Sequence, residues 1–228
     1  MIKNFFFFKY MEPINILIYI VVIVILIFGV NFLNIKKTNS NYEILQKYKP
    51  SRNDVIELTR NKLPLVLLGV IEDWYIFDEN DKVNKNKLTA DVLNENTKIL
   101  DELLTLNKSY EINSIKIKTN KYSNLIQENN VKHFLCLLKG EISVYLFNPE
   151  QKIEYIINEN NQKQSKYSFW NDENEKLKET KYMEVNLGPE QIIHIPYGWW
   201  YCYKLKKNSL ILNINSNTII TGPLKILL

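Results

Sequence analysis

The chain has 228 residues, room for one ordinary domain and a modest appendage, since domains usually run about 100–200 residues. Its 29 basic and 25 acidic residues leave a net charge of +4; they lack the clustering that a nucleic-acid backbone requires, so nucleic acid is not an expected partner. With 46% apolar and 12% aromatic residues the chain can build a core, which excludes a disordered polypeptide. Isoleucine and asparagine (30 each) and lysine (27) dominate, while arginine occurs only at Arg52 and Arg60. This is the bias of an AT-rich coding sequence, so surface Asn and Lys count as background unless a motif argues otherwise.

Residues 1–13 read as a short N-terminal tail, in which Phe5 to Phe8, Lys9 and Tyr10 suit the aromatic belt at a membrane interface. From Ile14 to Leu33 the chain has twenty residues without a charge. As a helix rising about 1.5 Å per residue this segment reaches roughly 30 Å, the thickness of a hydrocarbon core. A buried core helix and a cleaved signal peptide are the alternatives. The run exceeds the usual apolar region of a signal peptide and exits into Asn34-Ile35-Lys36-Lys37 rather than a small-residue cleavage site, which favours a retained single-pass anchor in a bilayer. Lys36, Lys37, Lys47, Lys49 and Arg52 outnumber Lys3 and Lys9 across the span, so the positive-inside bias places the soluble domain on the cytoplasmic side. Two cysteines, Cys136 and Cys202, imply no disulfide framework, compatible with a reducing compartment.

Residues 34–50 are polar and end at Pro50, reading as a linker, and the domain is expected over residues 51–228. Ser51 or Asn53 is a candidate cap for a short helix through Arg60. The apolar run Leu63 to Val70 predicts a buried strand, and the stripe of Val92, Leu93, Ile99, Leu100, Leu103, Leu104 and Leu106 predicts a helix over Thr89–Asn107. After residue 110 eight short β-rich runs follow: Ile112–Lys118, Val131–Leu138, Ile142–Phe147, Ile153–Ile157, Tyr182–Leu187, Gln191–Ile195, Trp199–Leu205 and Leu210–Ile214. Punctuated by Gly140, Asn148-Pro149, Gly188-Pro189 and Pro196-Tyr197-Gly198, they predict an all-β sandwich or barrel with flanking helices. The polar excursion over 158–181 reads as a long loop whose Phe169-Trp170 pair should dock on the barrel or meet a ligand.

The segment from Leu187 through Gly188-Pro189, Ile192-Ile193, Ile195-Pro196-Tyr197-Gly198 and Trp199-Trp200 resembles the late element of JmjC-type, cupin-like double-stranded β-helix proteins. Two further segments agree in order. Phe134 to Gly140 with Tyr145 to Pro149 looks like that family's central strand pair, and Leu63-Pro64-Leu65-Val66 through Asp73-Trp74 looks like its entry segment. The resemblance implies a double-stranded β-helix (jelly roll) across about residues 60–215. For enzymes of the family it also implies Fe(II), bound by a His-x-Asp/Glu pair and a distant His, with 2-oxoglutarate as cosubstrate. Alternate residues of a strand project to one face, so such a pair can reach one ion while a neighbouring strand supplies the third ligand.

By the family's spacing, the His-x-Asp pair falls on Gln127 and Asn129, the distal His on Tyr201 and the cosubstrate lysine on Ile142. Carboxamides supply neither imidazole nitrogen nor anionic oxygen, a phenol with an ordinary pKa of about 10 is scarcely ionised at neutral pH, and an aliphatic chain cannot pair with a carboxylate. The site therefore reads as a degenerate iron centre, with no catalytic residue and no cofactor expected. His133, Ile142, Trp199 and Tyr203 are candidate pocket residues. His133 and His194, the only histidines, form the alternative metal reading against the plainer one of hydrogen-bonded core residues. The expected function is a membrane-anchored binding or scaffolding module, with a protein as a candidate partner. The alternative is an Fe(II)- and 2-oxoglutarate-dependent oxygenase of the protein-hydroxylase type with a noncanonical site.

Overall fold

In the computed structural model the described residues are 13–72, 109–116, 120–171, 177 and 179–217, and they fall in two compact units divided after Lys37. The first unit contains helix α1 (Pro13–Lys36). Over Asn15–Lys36 it is long and apolar enough to cross a membrane, and its large side chains from Leu17 to Leu33 are exposed. A helix apolar on all sides and exposed on all sides has no aqueous partner to hide against.

The second unit is an all-β core with one described helix. Its strands are β1 (Leu45–Tyr48), β2 (Leu65–Leu68), β3 (Ser109–Lys116), β4 (Lys121–Tyr122), β5 (Ile126–Gln127), β6 (Lys132–Lys139), β7 (Ile142–Phe147), β8 (Tyr155–Ile157), β9 (Lys163–Ser165), β10 (Tyr182–Leu187), β11 (Gln191–Pro196), β12 (Trp200–Leu205) and β13 (Leu210–Asn217). One sheet runs β1-β2-β11-β6-β13-β3 and the other β10-β7-β12-β5-β9-β8, with β4 also on β12. All pairs are antiparallel except β1 with β2.

Alternation along the strands builds three apolar layers. Leu135, Leu137, Ile193, Ile195 and Ile211 of the first sheet meet Val144, Leu146, Tyr201 and Leu205 of the second. On the outer face of the first sheet Phe134, Cys136, Ile192, Leu212 and Ile214 pack with Val55 of helix α2 (Arg52–Arg60). On the outer face of the second, Phe147, Trp200 and Cys202 are covered by Leu125, Ile153, Leu177, Phe169 and Trp170. Burial on both faces explains why β6 and β11 read as nearly continuous apolar runs.

Helix α2 is capped by Ser51: its hydroxyl accepts from Asp54 N and the Asp54 carboxylate accepts from Ser51 N, a reciprocal box that settles the choice between Ser51 and Asn53. The stretch 34–50, expected as linker, contains β1, because Leu45 to Tyr48 pair in register with Leu65 to Leu68 and extend the sheet edge. The excursion 158–181, expected as a loop, contributes β9 and docks its aromatic pair: the Trp170 indole N–H donates to Ser123 O (2.7 Å), while Phe169 lies edge-on to Phe147. The helix expected at Thr89–Asn107 and the Asp73-Trp74 pair lie outside the described residues.

Candidate functional site

The inner face of the two sheets is apolar at one end and polar at the other. At the polar end β13 presents Asn213 and Asn215, which lie in register with Leu135 and His133 of β6 and share their face. Opposite stand Tyr201 and Tyr203 of β12, and the His133 ring packs against Tyr201 with centroids 5.1 Å apart. Between them a cavity of about 700 Å³ opens, lined also by Ile126, Asn130, Tyr122, Lys121 and polar residues of the segment 158–164.

Behind the floor lies a buried polar network centred on Glu128. The segment linking β5 to β6 has no ladder of its own and is tied instead to the turn before β12. Glu128 N donates to Trp199 O (2.8 Å), Gly198 N donates to Glu128 O (2.8 Å), and the Gln127 carboxamide donates to Gly198 O (2.8 Å). Gly198 has φ +86°, and a Cβ there would lie 2.7 Å from the Thr38 methyl, so the turn requires glycine. This anchoring points the Glu128 side chain inward. Its Oε1 accepts from Asn130 N (2.6 Å) and Asn130 Nδ2 (2.7 Å), and its Oε2 meets His133 Nδ1 in a close contact. Asn217 Nδ2 in turn donates to Asn130 Oδ1 (2.9 Å), tying the network to the end of β13.

Burial by itself pushes the Glu128 carboxyl up, but the neighbouring His133 imidazole and the Asn130 amides outweigh it and hold the group below its ordinary range. Tyr201 is raised well above the usual phenol value by burial and by the facing Glu128 carboxylate. Glu128 therefore stays an anion, with Oε1 held by the Asn130 amides and Oε2 against His133, and Tyr201 stays a neutral phenol.

The iron-ligand positions expected from the family spacing have separate partners. Gln127 is spent on Gly198 O, Asn129 donates to Asn161 O (3.2 Å), and Tyr201 alone of the three lines the cavity. Of the candidate pocket residues, Tyr203 lines the cavity and His133 sits behind Tyr201. Ile142 is buried between the sheets, and Trp199 is buried with its indole N–H donating to Lys62 O (3.2 Å).

His133 and His194 cannot share an ion. His194 projects to the opposite face of the first sheet, against Phe134 (4.9 Å between ring centroids), and burial lowers its pKa to about 3, keeping it neutral. Among the described residues no group of three or more His, Cys, Asp or Glu side chains is placed to hold a metal. A facial set for Fe(II) needs unengaged imidazole and carboxylate donors. The residues present do not fit one, because the imidazole and carboxylate nearest the cavity are paired with each other.

Reading by family spacing passed over Glu128, Asn130, Asn213 and Asn215. A signal for the first was available: Glu128 is the only carboxylate between Glu111 and Glu141 and stands five residues from one of two histidines. The Asn-Ile-Asn alternation at 213–215 was visible too, within a composition that made asparagine look like background.

No family model and no curated protein matches this chain. Among solved structures it is similar to the CENP-C cupin domain of Drosophila melanogaster, at 16% identity over 46% of this chain and 56% of that one, with a TM-score of 0.31. It is also similar to a dTDP sugar isomerase from Desulfovibrio desulfuricans G20, at 14% identity over 50% of this chain and 59% of that one, with a TM-score of 0.31. The match spans little more than half of each of those chains. These are likenesses in β-fold.

Proposed function

We propose that the chain is a membrane-anchored, cupin-like protein of JmjC resemblance whose domain binds rather than catalyses, working without Fe(II) or 2-oxoglutarate. The observation that carries this reading is the pairing of Glu128 with His133 beneath the cavity. In a metal oxygenase an imidazole and a carboxylate would be the natural ligands, yet here the two are held in close contact with each other and Asn130 occupies the other carboxylate oxygen. Withdrawing Glu128 for a metal would leave the Asn130 amides without their acceptor in a dry site, at a cost of about 1–3 kcal/mol per buried group. With the chemistry-bearing groups engaged, what faces the cavity is a set of hydrogen-bonding side chains, all but Lys121 neutral, suited to recognition. The module would act as a binding or scaffolding unit, with its occupant or a protein partner as the thing presented.

The helix α1 is the proposed single-pass anchor, with the domain on the cytoplasmic side as the basic flank suggests. The full chain, reconstituted in lipid nanodiscs with Fe(II) and 2-oxoglutarate, is expected to form no succinate above a metal-free control. Turnover above that control would overturn the reading in favour of an oxygenase with a noncanonical site. For the anchor, alkaline carbonate extraction should leave the chain in the membrane pellet, and its release would contradict the span.

A further inference from the structure

The lining of the cavity is chemically unusual. Of its fourteen residues eight are carboxamides, one is aliphatic, none is acidic and Lys121 alone is basic. Ligand pockets are ordinarily dominated by apolar side chains with a few polar groups, so this composition argues against an apolar molecule and gives a multiply charged one only a single counter-ion. Peptide side chains would find little beyond the tyrosine rings, since only Ile126 offers an aliphatic contact. What eight carboxamides and three tyrosine hydroxyls complement is a dense array of groups that donate and accept at once.

A second observation points the same way. The side-chain carbonyl oxygens of Asn213 and Asn215 are buried and have no hydrogen-bond partner in the folded chain. A buried acceptor left unpaired is costly, and native folds seldom keep two adjacent ones without a use for them. Both residues line the cavity, two strand positions apart on the same face. The two oxygens are closed to solvent as they stand, and rotation of each carboxamide about its last side-chain bond turns the acceptor toward O–H or N–H donors of an occupant. At the mouth Tyr122 is half-exposed and held by Trp170 (4.9 Å between ring centroids) and by Lys204 (5.4 Å from its ring), an aromatic platform fixed before any ligand arrives.

We propose that this cavity binds a neutral polyhydroxylated ligand, a mono- or disaccharide unit, whose hydroxyls donate to Asn213 and Asn215 and whose ring lies among Tyr122, Tyr201 and Tyr203. Vicinal hydroxyls match the paired donor and acceptor of a carboxamide, and the C–H faces of a pyranose suit aromatic rings. The inference rests on the non-catalytic reading above and adds the class of ligand. Glu128, shielded behind Tyr201, shapes the floor without meeting the ligand as a charge.

The test uses the full chain in nanodiscs made without glycolipid. Ligand-observed saturation-transfer NMR and calorimetry would be run with the methyl glycosides of glucose, galactose, mannose and N-acetylglucosamine and with their disaccharides, against glucuronate and glucose 6-phosphate. At least one neutral sugar is expected to bind, and more tightly than its anionic counterpart. Asn213→Leu and Asn215→Leu, close in volume to the native residues, should each weaken binding by about tenfold or more while leaving thermal stability equal or higher, since each removes an unpaired acceptor. A merely structural asparagine would instead lose stability. Binding by none of the neutral sugars, tighter binding of the anionic ones, or full affinity in both leucine variants would overturn the proposal. No sugar binding but formation of succinate in the iron assay would mean that the non-catalytic reading has failed; no sugar binding and no succinate would mean that only the ligand class has failed.

Discussion

Replacing His133 by leucine removes one half of the buried pair and leaves the other in place. Glu128 has a side-chain exposure of 0% and His133 of 1%, so no water can take over at Oε2. Deleting one member of such a pair strands a buried charge, and the expected loss is about 3–5 kcal/mol, against 0–1 for an exposed pair. For a chain of this length that is a fall in Tm of about 6–20 °C. The double variant Glu128→Gln/His133→Leu keeps an oxygen for the Asn130 amides but removes the charge, so it should recover half or more of the loss. The pH dependence has a definite sign. In the native protein the Glu128 carboxyl is depressed from its ordinary 4.5, so its contribution to stability is present above about pH 4.5 and is lost as pH falls through the folded value. In His133→Leu the upward push of burial loses its main opponent, so the gap between variant and native protein should be widest near neutrality and close in acid as Glu128 protonates. Denaturant titration of the full chain, followed by the fluorescence of buried Trp199 and Trp200, reads all of this. A single-variant loss below about 1 kcal/mol, or a double variant no better than the single, would refute the argument.

His194 is lowered to about 3 by burial, aided by Lys132, His133 and Lys62, whereas in the unfolded chain it titrates near 6.5. A depressed histidine favours the folded state above its unfolded pKa, and that advantage erodes as pH falls from 6.5 toward 3, with a limiting slope of about 1.4 kcal/mol per pH unit. His194→Leu should flatten the acid limb of the stability profile; an unchanged slope between pH 6.5 and 4 would show that other groups cause it. Gly140, at the β6–β7 turn, has φ +87°, and a Cβ there would fall 2.3 Å from Ser209 Oγ and 2.6 Å from Ser209 Cα. Gly140→Ala should cost about 2 kcal/mol or more, combining left-handed strain with a backbone clash, and an unshifted denaturation midpoint would show that the turn relaxes freely.

Much of this architecture could be read from local pattern. The strands over 142–147 and 182–187 fall at the expected residues because their alternation and bounding turns are local properties, and the apolar helix followed from twenty uncharged residues alone. Strand parity separates Trp199, Tyr201 and Tyr203, which pack between the sheets, from Trp200 and Cys202 on the outer face. Other elements carry no such mark. β1 and β9 are short and polar, and they are strands because a neighbouring strand offers its edge, a fact about partners far away in sequence.

The site shows the same division at the level of single side chains. The sequence by itself determined only an expectation for Gln127, Asn129, Tyr201 and Ile142, as the places where the spacing of the resembled family would put iron and cosubstrate ligands, since that reading needs only residue identity and count. Only the tertiary structure decided that Glu128, the residue between the two carboxamides, turns inward to His133. Parity can be counted along a strand but not across the break between β5 and β6, where the backbone takes its direction from hydrogen bonds to Gly198 and Trp199 some seventy residues away. Asn213 and Asn215 are alike in this respect. Their alternation is written in the chain, but both faces of that sheet are covered, and which face holds the cavity depends on the docking of the second sheet.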